Sequence, residues 1–174
     1  MDPIEAPQSK QRKTGLTMLI VAWLILLGLL ALFFNDYLTD RQNPNQLPTS
    51  STTTGGVEVV LQPNYQHHYL VSGLINDQKV TFLLDTGATD VVIPDSLAPR
   101  LGLSRGRAHY ANTANGAIQV YTTRLKSVAI GDIRLSDVRA SLNPAMDGDV
   151  ILLGMSALKE IEFTRRGELL ILRQ

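Results

Sequence analysis

The chain contains no cysteine, and its acidic and basic side chains are equal in number. Without cysteine, disulfide frameworks, thiolate zinc sites, iron–sulfur clusters and a cysteine nucleophile are excluded. The formal net charge is zero, from 16 Lys and Arg against 16 Asp and Glu, so the strongly basic surface of a typical nucleic-acid-binding protein is missing. We therefore expect no nucleic-acid partner, and the length of 174 residues accommodates one domain with an appendage.

Charge is also absent from a continuous segment near the amino terminus. Residues 15–34 are almost entirely apolar, and as a helix they would extend roughly 30 Å, the thickness of a bilayer's hydrocarbon core. A buried helix of a soluble protein would keep a polar stripe, and a cleaved signal peptide would have a shorter apolar run followed by small residues at a cleavage site. Neither feature is found in the sequence, which therefore predicts an uncleaved transmembrane anchor over residues 15–34.

The distribution of basic residues predicts how this anchor is oriented. Lys10, Arg12 and Lys13 precede the apolar segment, whereas only Arg41 falls within about twenty residues after it. The positive-inside rule then places residues 1–14 in the cytoplasm and the remainder of the chain outside it, in the periplasm if the organism is a Gram-negative bacterium. Residues 35–56 are rich in Pro, Ser, Thr and Asn, and are predicted to be a flexible linker.

Residues 57–174 form the predicted extracytoplasmic domain, in which short β-like runs alternate with turn residues. Hairpin connections are predicted at three places: Asn76-Asp77, Gly131-Asp132 and Arg165–Gly167. Two short helices are expected, over residues 94–102 and 155–161. Short strands at such close spacing predict an all-β domain, either a sandwich or a barrel.

The string Asp85–Ala88, with the sequence Asp-Thr-Gly-Ala, carries the clearest functional signal. It follows the apolar residues Phe82–Leu84 and precedes a second apolar run that ends at Pro94. An acid that emerges from a buried strand is costly unless it is hydrogen-bonded, and Gly87 allows a close approach that a side chain would block. Because a bare Asp-Thr-Gly is also an ordinary turn sequence, the flanking residues decide between a turn and a site.

In this context the segment resembles the active-site sequence of retropepsin-like aspartic proteases, and the anchored chain is similar to bacterial membrane-bound members of that clan. Val150–Gly154 resembles the late apolar segment that packs beneath the catalytic turn in the family. Between the two, alternating arms flank Asn115-Gly116, which predicts a hairpin by itself and occupies the position of the family's flap. The resemblance covers residues 57–174 and implies an all-β, retropepsin-like closed barrel with one or two short helices.

The resemblance further implies an aspartic endopeptidase that needs two carboxylates. One, ionised, takes a proton from the attacking water, and the other, protonated, polarises the scissile carbonyl. The chain holds one Asp-Thr-Gly, so we expect a homodimer in which each subunit donates Asp85 across a two-fold axis. Thr86 would tie the two turns together, and Gly87 would allow their close approach. No metal and no organic cofactor is expected.

Several positions bear on how closely the chain follows the retroviral pattern. The Asp that usually follows the Asp-Thr-Gly-Ala string and the Arg that usually follows the late Gly pair with each other, and here they are replaced by Thr89 and Met155. Asp90 corresponds to a position near the substrate backbone, and the alternative is a solvated acid at a strand edge. Ala88 lacks the hydroxyl that would favour a charged carboxylate, which predicts an activity optimum at about pH 5–7 rather than lower.

The sequence thus predicts a membrane-anchored aspartic endopeptidase. Its partners would be a second copy, the lipid bilayer through the anchor, and a protein or peptide substrate close to the membrane. Asp90, Asn115 and Gly116 would contact that substrate. The alternative, from another class, is a catalytically inactive module of the same fold that binds peptides or dimerises.

Overall fold

A computed structural model describes residues 8–113 and 116–174. Helix α1 spans Gln8–Gln42, and from Gly15 onward it is long and apolar enough to cross a membrane. Its large apolar side chains, from Leu16 to Leu38, are exposed, as expected of a helix that meets lipid. The helix is compatible with the predicted anchor and also with a signal sequence.

Residues 41–174 form a second compact unit, which consists mainly of strands. Short helical segments occur at Asp95–Leu97, a 3-10 helix, and at Met155–Leu158, which is α2. The strands in the described part of the chain are β1 (Thr49–Thr53), β2 (Gly56–Leu61), β3 (Leu70–Ile75), β4 (Gln78–Leu84), β5 (Val91–Pro94), β6 (Ala108–Thr113), β7 (Gly116–Ile130), β8 (Ile133–Asn143), β9 (Val150–Leu153), β10 (Glu162–Arg166) and β11 (Leu169–Arg173).

The smaller sheet joins the first and last strands of this unit. Its strand order is β1-β2-β11-β10, and every neighbouring pair is antiparallel. Val57 and Gln174 exchange two backbone hydrogen bonds, of 2.9 and 3.0 Å. The last strand is thereby fixed to the strand that begins the predicted extracytoplasmic domain.

The larger sheet has the strand order β3-β4-β9-β5-β8-β7-β6, and β3 also pairs with β7. This closing contact covers two residue pairs, so the barrel that the sequence predicts is not continuous along its strands. Two parallel pairs, β4 with β9 and β5 with β8, lie in the middle of the order. Strands at the centre of a buried sheet are apolar on both faces, which explains the unbroken apolar runs of Val91–Ile93 and Val150–Leu153.

One apolar core lies within the second unit, and both sheets contribute to it. Its largest fully buried side chains include Leu61, Phe82, Ile93, Leu125, Leu142 and Ile151. The three predicted hairpins are confirmed, but the third turns at residues 167–168 rather than over Arg165–Gly167, because Arg165 and Arg166 pair with β11 as part of β10. Asn76 and Asp77 have φ of +48° and +64°, the shape of the two-residue turn that matches strand twist, and Gly131 and Gly167 have φ of +56° and +62° in the other two.

The residues directly after α1 are tied into the folded unit by two buried asparagines. Asn45 bridges the end of β2 and the start of β3, because its Nδ2 donates to the carbonyl oxygens of Gln62 at 2.8 Å and Leu70 at 2.6 Å. Its Oδ1 accepts from the Gln62 amide at 2.8 Å. Asn43 Nδ2 donates to Ser72 Oγ at 3.1 Å. These side chains substitute for strand pairing where the chain enters the domain.

These contacts correct the expectation of a flexible linker over residues 35–56. Residues 35–42 contain neither glycine nor proline and continue helix α1 to Gln42. Pro44 then disfavours further helix. Residues 49–53 pair with β2 as an edge strand. Their Ser and Thr composition is typical of loops, but the β-branched side chain of threonine also suits an exposed strand.

Candidate active site

Asp85 is the first residue after β4, at the point where that strand leaves the core. β4 runs parallel to β9 with Leu84 beside Leu153, and the Asp85 amide donates to the Leu153 carbonyl oxygen at 3.1 Å. Phe82 is fully buried, whereas Asp85 is half-buried. A rigid apolar strand therefore delivers this carboxylate to the edge of the core.

A tight turn follows Asp85 and orients its carboxylate. The Gly87 amide donates to Asp85 Oδ1 at 2.9 Å, and the Ala88 amide donates to the Asp85 carbonyl oxygen at 3.3 Å. A Cβ on Gly87 would lie 3.2 Å from Asp85 Oδ1, so a side chain there would crowd that oxygen. Thr86 and Gly87 are exposed and Ala88 is half-buried. The turn thus presents one oriented carboxylate beside an exposed threonine.

The segment after β9 packs directly under this turn. A Cβ on Gly154 would lie 2.1 Å from the Asp90 carbonyl oxygen and 2.7 Å from that of Ala88, so no larger residue fits unless the turn moves. The amides of the next two residues donate to the Ala88 and Thr89 carbonyl oxygens, at 2.8 and 2.9 Å. The late apolar segment therefore has the position that the sequence resemblance predicts for it.

Ser156 extends this support, and sequence reasoning did not single it out for that role. Its hydroxyl donates to the Arg139 carbonyl oxygen at 2.7 Å and accepts from the Val91 amide at 3.0 Å. The side chain is buried, so both bonds lie away from solvent. A serine inside a short helical segment gives no local signal that its partners lie on two distant strands.

Asp90 ends the turn, and both of its carboxylate oxygens are hydrogen-bonded. Arg139 Nε donates to Oδ1 at 2.7 Å, and the Ser141 hydroxyl donates to Oδ2 at 3.3 Å. Both partners belong to β8, and no sequence pattern links them to Asp90. Within one chain, the Asp90 carboxylate is therefore held by two side chains of β8. Its contact with substrate remains a prediction.

The predicted flap is a hairpin of β6 and β7, in which Thr113 pairs with Gly116. Gly116 is exposed with φ of +107°, a conformation that strongly favours glycine. Asn115 lies outside the described residues. β6 is the last strand in the order of its sheet, and Tyr110 on it is 73% exposed. The hairpin therefore presents an outer strand edge together with an exposed aromatic ring.

The base of this hairpin is held by a backbone hydrogen bond and by the side chains of Arg105, Tyr121 and Asp95. The Gly106 amide donates to the Thr122 carbonyl oxygen at 2.7 Å. Arg105 stacks over the Tyr121 ring, 4.7 Å from its centroid, and pairs with Asp95 through two hydrogen bonds, of which Nε to Oδ1 measures 2.8 Å. The hydrogen bond from Arg105 holds the pKa of Asp95 below its ordinary value, although burial acts in the opposite direction.

The group that the turn orients is a carboxylate, which can accept or donate a proton to a bound water or substrate. In the residues that the structure describes, no group of three or more His, Asp or Glu side chains is arranged to hold a metal ion. The sequence contains one Asp-Thr-Gly. The residues of this sequence therefore supply one carboxylate in an Asp-Thr-Gly turn.

Comparison with known proteins finds one matching family model and similar solved structures. A family model described as "gag-polyprotein putative aspartyl protease" matches residues 71–160, which include the turn, the flap hairpin and Gly154. The crystal structure of a retropepsin-like aspartic protease from Rickettsia conorii is similar, with a TM-score of 0.54 and 26% identity over 72% of this chain and 93% of that one. The EIAV protease complexed with the inhibitor HBY-793 is similar at a TM-score of 0.44 and 25% identity, over 56% and 90% of the two chains.

Two curated sequences are also similar. An uncharacterized protein in the cobV 5′ region of a Sinorhizobium species is 28% identical over 122 residues, 68% of this chain and 52% of that protein. An uncharacterized protein of Rickettsia prowazekii (strain Madrid E) is 28% identical over 157 residues, 88% of this chain and 67% of that protein. The chain thus spans about half the length of the first relative. The likeness to the Rickettsia conorii protease confirms the retropepsin-like fold that the sequence predicts.

Proposed function

Because the chain belongs to the gag-polyprotein aspartyl protease family, we propose that it is an aspartic endopeptidase that hydrolyses peptide bonds with Asp85 from two copies. The observation that carries this proposal is the turn itself: the Gly87 amide orients the Asp85 carboxylate, and β9 holds the Asp85 backbone. The similar Rickettsia conorii protein, a retropepsin-like aspartic protease, supports the reaction class.

The reaction requires two carboxylates about 3 Å apart, which share one proton. The ionised carboxylate would accept a proton from water as that water attacks the scissile carbonyl carbon. The protonated one would polarise the carbonyl oxygen and then help to protonate the leaving nitrogen. One Asp85 comes from each subunit across a two-fold axis, and the exposed Thr86 would bond the partner's turn. This mechanism uses no metal and no organic cofactor.

The substrate would bind in an extended conformation along the flap hairpin. The outer edge of β6 offers backbone groups to which a peptide can add as a further strand. Gly116 at the start of β7, together with Asn115, would close over the bound peptide. Tyr110 would supply exposed apolar surface for a substrate side chain.

We further propose that residues 15–34 are an uncleaved anchor and that the folded unit is extracytoplasmic, in the periplasm of a Gram-negative bacterium. The basic residues before the apolar segment support this orientation. The helical residues 35–42 would add a length of about 12 Å, and the chain is bound into the folded unit from Asn43 onward. The connection between the proposed anchor and the folded unit thus has fewer residues than the predicted linker 35–56, which favours substrates close to the membrane.

Membrane anchoring is compatible with the proposed dimer. A two-fold axis along the membrane normal gives both amino-terminal helices the same orientation in the bilayer. Confinement to one membrane also raises the effective concentration of the second copy, so a modest interface would suffice for pairing.

The test of activity compares Asp85→Asn with the wild-type full chain, in detergent micelles, on a peptide library. The amide removes proton transfer at nearly constant shape, so cleavage should fall roughly 10²–10⁴-fold. Asp147→Asn, the same change at an exposed acid, should cleave like the wild type. Persistent cleavage by Asp85→Asn would remove the assigned mechanism, and peptide binding without turnover by the wild type would support the inactive binding module instead.

The test of topology uses the absence of cysteine. Single cysteines introduced by Ser9→Cys and by Leu47→Cys, a position that is 92% exposed, are offered to a membrane-impermeant maleimide in spheroplasts. Leu47→Cys should react at once, and Ser9→Cys should react only after lysis. The opposite pattern would place the domain in the cytoplasm, and recovery of labelled Leu47→Cys in the soluble fraction would indicate a cleaved signal.

A further inference from the structure

One ion pair connects the carboxyl-terminal end of the Asp85 turn to β8. Arg139 Nε donates to Asp90 Oδ1 at 2.7 Å, and Ser141 occupies the second oxygen of the same carboxylate at 3.3 Å. The Asp90 side chain is 17% exposed, whereas that of Arg139 is 59% exposed. The guanidinium therefore reaches a sheltered acid from the surface, and a charged donor to such an acceptor makes one of the stronger hydrogen bonds in proteins.

Arg139 is bonded to the same region a second time, through its backbone. Its carbonyl oxygen accepts from the Ser156 hydroxyl at 2.7 Å, and that hydroxyl accepts from the Val91 amide at 3.0 Å. The Ser156 amide donates to the Thr89 carbonyl oxygen at 2.9 Å. Each of the three consecutive residues Thr89, Asp90 and Val91 is thus bonded to Arg139 or to Ser156.

We infer that Asp90 and Arg139 are a positioning pair that holds the Asp85 carboxylate in its reactive orientation, an inference that rests on the proposed function. The turn is fixed at its start by the bond from the Asp85 amide to Leu153, and at its end by the ion pair. The Gly87 amide, which orients Asp85 Oδ1, lies between these two fixed points. The bonds from the Met155 and Ser156 amides to the Ala88 and Thr89 carbonyl oxygens lie between Gly87 and Asp90, so a shift at Asp90 would reach Gly87 by loosening them. A displacement of about 1 Å is enough to slow a reaction between positioned groups.

This assignment gives Asp90 a role different from the substrate contact that the sequence predicts. The two positions that the sequence resemblance associates with an ion pair hold Thr89 and Met155, which cannot form one. In this chain the acid lies one residue later, and its cation comes from β8. The turn is thus supported by an ion pair, but this pair joins Asp90 to Arg139 of β8 instead of joining residues 89 and 155.

The activity test is a double-mutant cycle in the full chain in micelles. Arg139→Met and Asp90→Asn should each lower kcat about tenfold, with KM changed by no more than about twofold, because the pair orients Asp85 rather than binding substrate. The double variant should be no slower than the worse single variant, since both break the same contact. Arg139→Lys should recover most of the lost kcat. Unchanged kcat in the single variants, or losses that multiply in the double variant, would overturn the inference.

Arg173→Met is the matched control, because Arg173 binds Glu58 at 2.7 Å in the smaller sheet and that acid is 19% exposed. It should leave kcat unchanged. A readout without turnover is hydrogen exchange at the Met155 and Ser156 amides, which donate to carbonyl oxygens of the turn. This exchange should be about tenfold faster in Arg139→Met and unchanged in Arg173→Met.

The two readouts separate the inference from the proposed function. Unchanged exchange at those amides in Arg139→Met would overturn the positioning pair, whether or not the protein cleaves peptides. Faster exchange in a protein whose wild type cleaves nothing would support the structural link and remove the proposed function alone.

Discussion

The Asp85 turn and the β6–β7 hairpin, the proposed flap, are built in opposite ways. The turn, residues 85–90, lies against the segment after β9, whose amides bind its carbonyl oxygens and whose Gly154 leaves no room between the two backbones. In the flap, β6 lies last in its sheet, next to β7, and Ala108 and Tyr110 on it are exposed. The turn is enclosed by packed backbone, whereas the outer strand of the hairpin, β6, is an edge strand.

Under the proposed function, this difference places rigidity at the reacting carboxylate of Asp85 and freedom at the hairpin that would admit the substrate. Segments with few buried contacts and solvent-exposed backbone bonds open at the lowest free energy. We therefore expect the hairpin to open far more often than the turn, down to its base, where Gly106 is bonded to Thr122. Opening of the hairpin would then leave the Asp85 turn, which is bonded to the segment after β9, in place.

The largest effect is expected from Gly154→Ala, which would displace the turn. The new Cβ would lie 2.1 Å from the Asp90 carbonyl oxygen, so the backbone must shift, at a cost of about 3 kcal/mol and with loss of most peptide cleavage. Thermal unfolding measures the loss of stability. Gly148→Ala is the control: its Cβ meets nothing within 4 Å, although φ is +88°, and it should cost about 1 kcal/mol. Equal destabilisation by the two changes would show that the turn is not tightly enclosed.

A smaller, local effect is expected from Gly106→Ala at the base of the flap. The new Cβ would lie 2.6 Å from Thr122 Oγ1 and 2.7 Å from the Thr122 carbonyl oxygen. Because β6 can detach without opening the core, hydrogen exchange in the hairpin should rise about tenfold while global stability falls by about 1 kcal/mol. KM should rise more than kcat falls. Global destabilisation as large as that of Gly154→Ala would remove the distinction between the two regions.

The smallest effect is expected from the ion pair beside the flap base. Arg105 holds the pKa of Asp95 below its ordinary value of 3.8. The pair therefore stabilises the folded hairpin fully above that pH, and this contribution is lost as the pH falls through the lowered pKa. The side chains are 51% and 19% exposed, so salt weakens the pair.

Hydrogen exchange in the hairpin, compared between the wild type and Asp95→Asn, measures this contribution. The two proteins should differ at about pH 6 and converge at the acid end of the range, where the Asp95 carboxyl is protonated in both the folded and the opened state. A difference that does not change with pH would contradict the role assigned to the pair.

Features set by neighbouring residues were predictable from the sequence. The Asp85–Ala88 turn follows from an apolar strand that ends in an acid and small residues, and the hairpins follow from turn residues that accept positive φ, such as Asn76 and Gly131. The position of Gly154 under the turn was implied by the resemblance of Val150–Gly154 to the late segment of retropepsin-like proteases, and not by its apolar pattern alone. Local patterns were sufficient for an all-β domain, and the family resemblance was needed for the retropepsin-like fold and for the candidate catalytic acid.

Features set by distant side chains were not predictable. Arg139 lies 49 residues from Asp90, and Asn45 lies 25 residues from Leu70, so no period or turn pattern marks either contact. The linker prediction failed for the same reason, because the asparagines that tie it down resemble ordinary loop residues until their strand partners are known.

Catalysis by the proposed mechanism needs Asp85 from two copies, and this requirement can be tested by mixing wild-type and Asp85→Asn full chains. The ratio is varied at constant total protein in micelles, after the subunits have exchanged. If both carboxylates are required and pairing is random, cleavage follows the square of the wild-type fraction and falls to about one quarter in an equal mixture. Cleavage in simple proportion to the wild-type fraction, about one half in that mixture, would mean that a single chain suffices and would contradict a shared dyad.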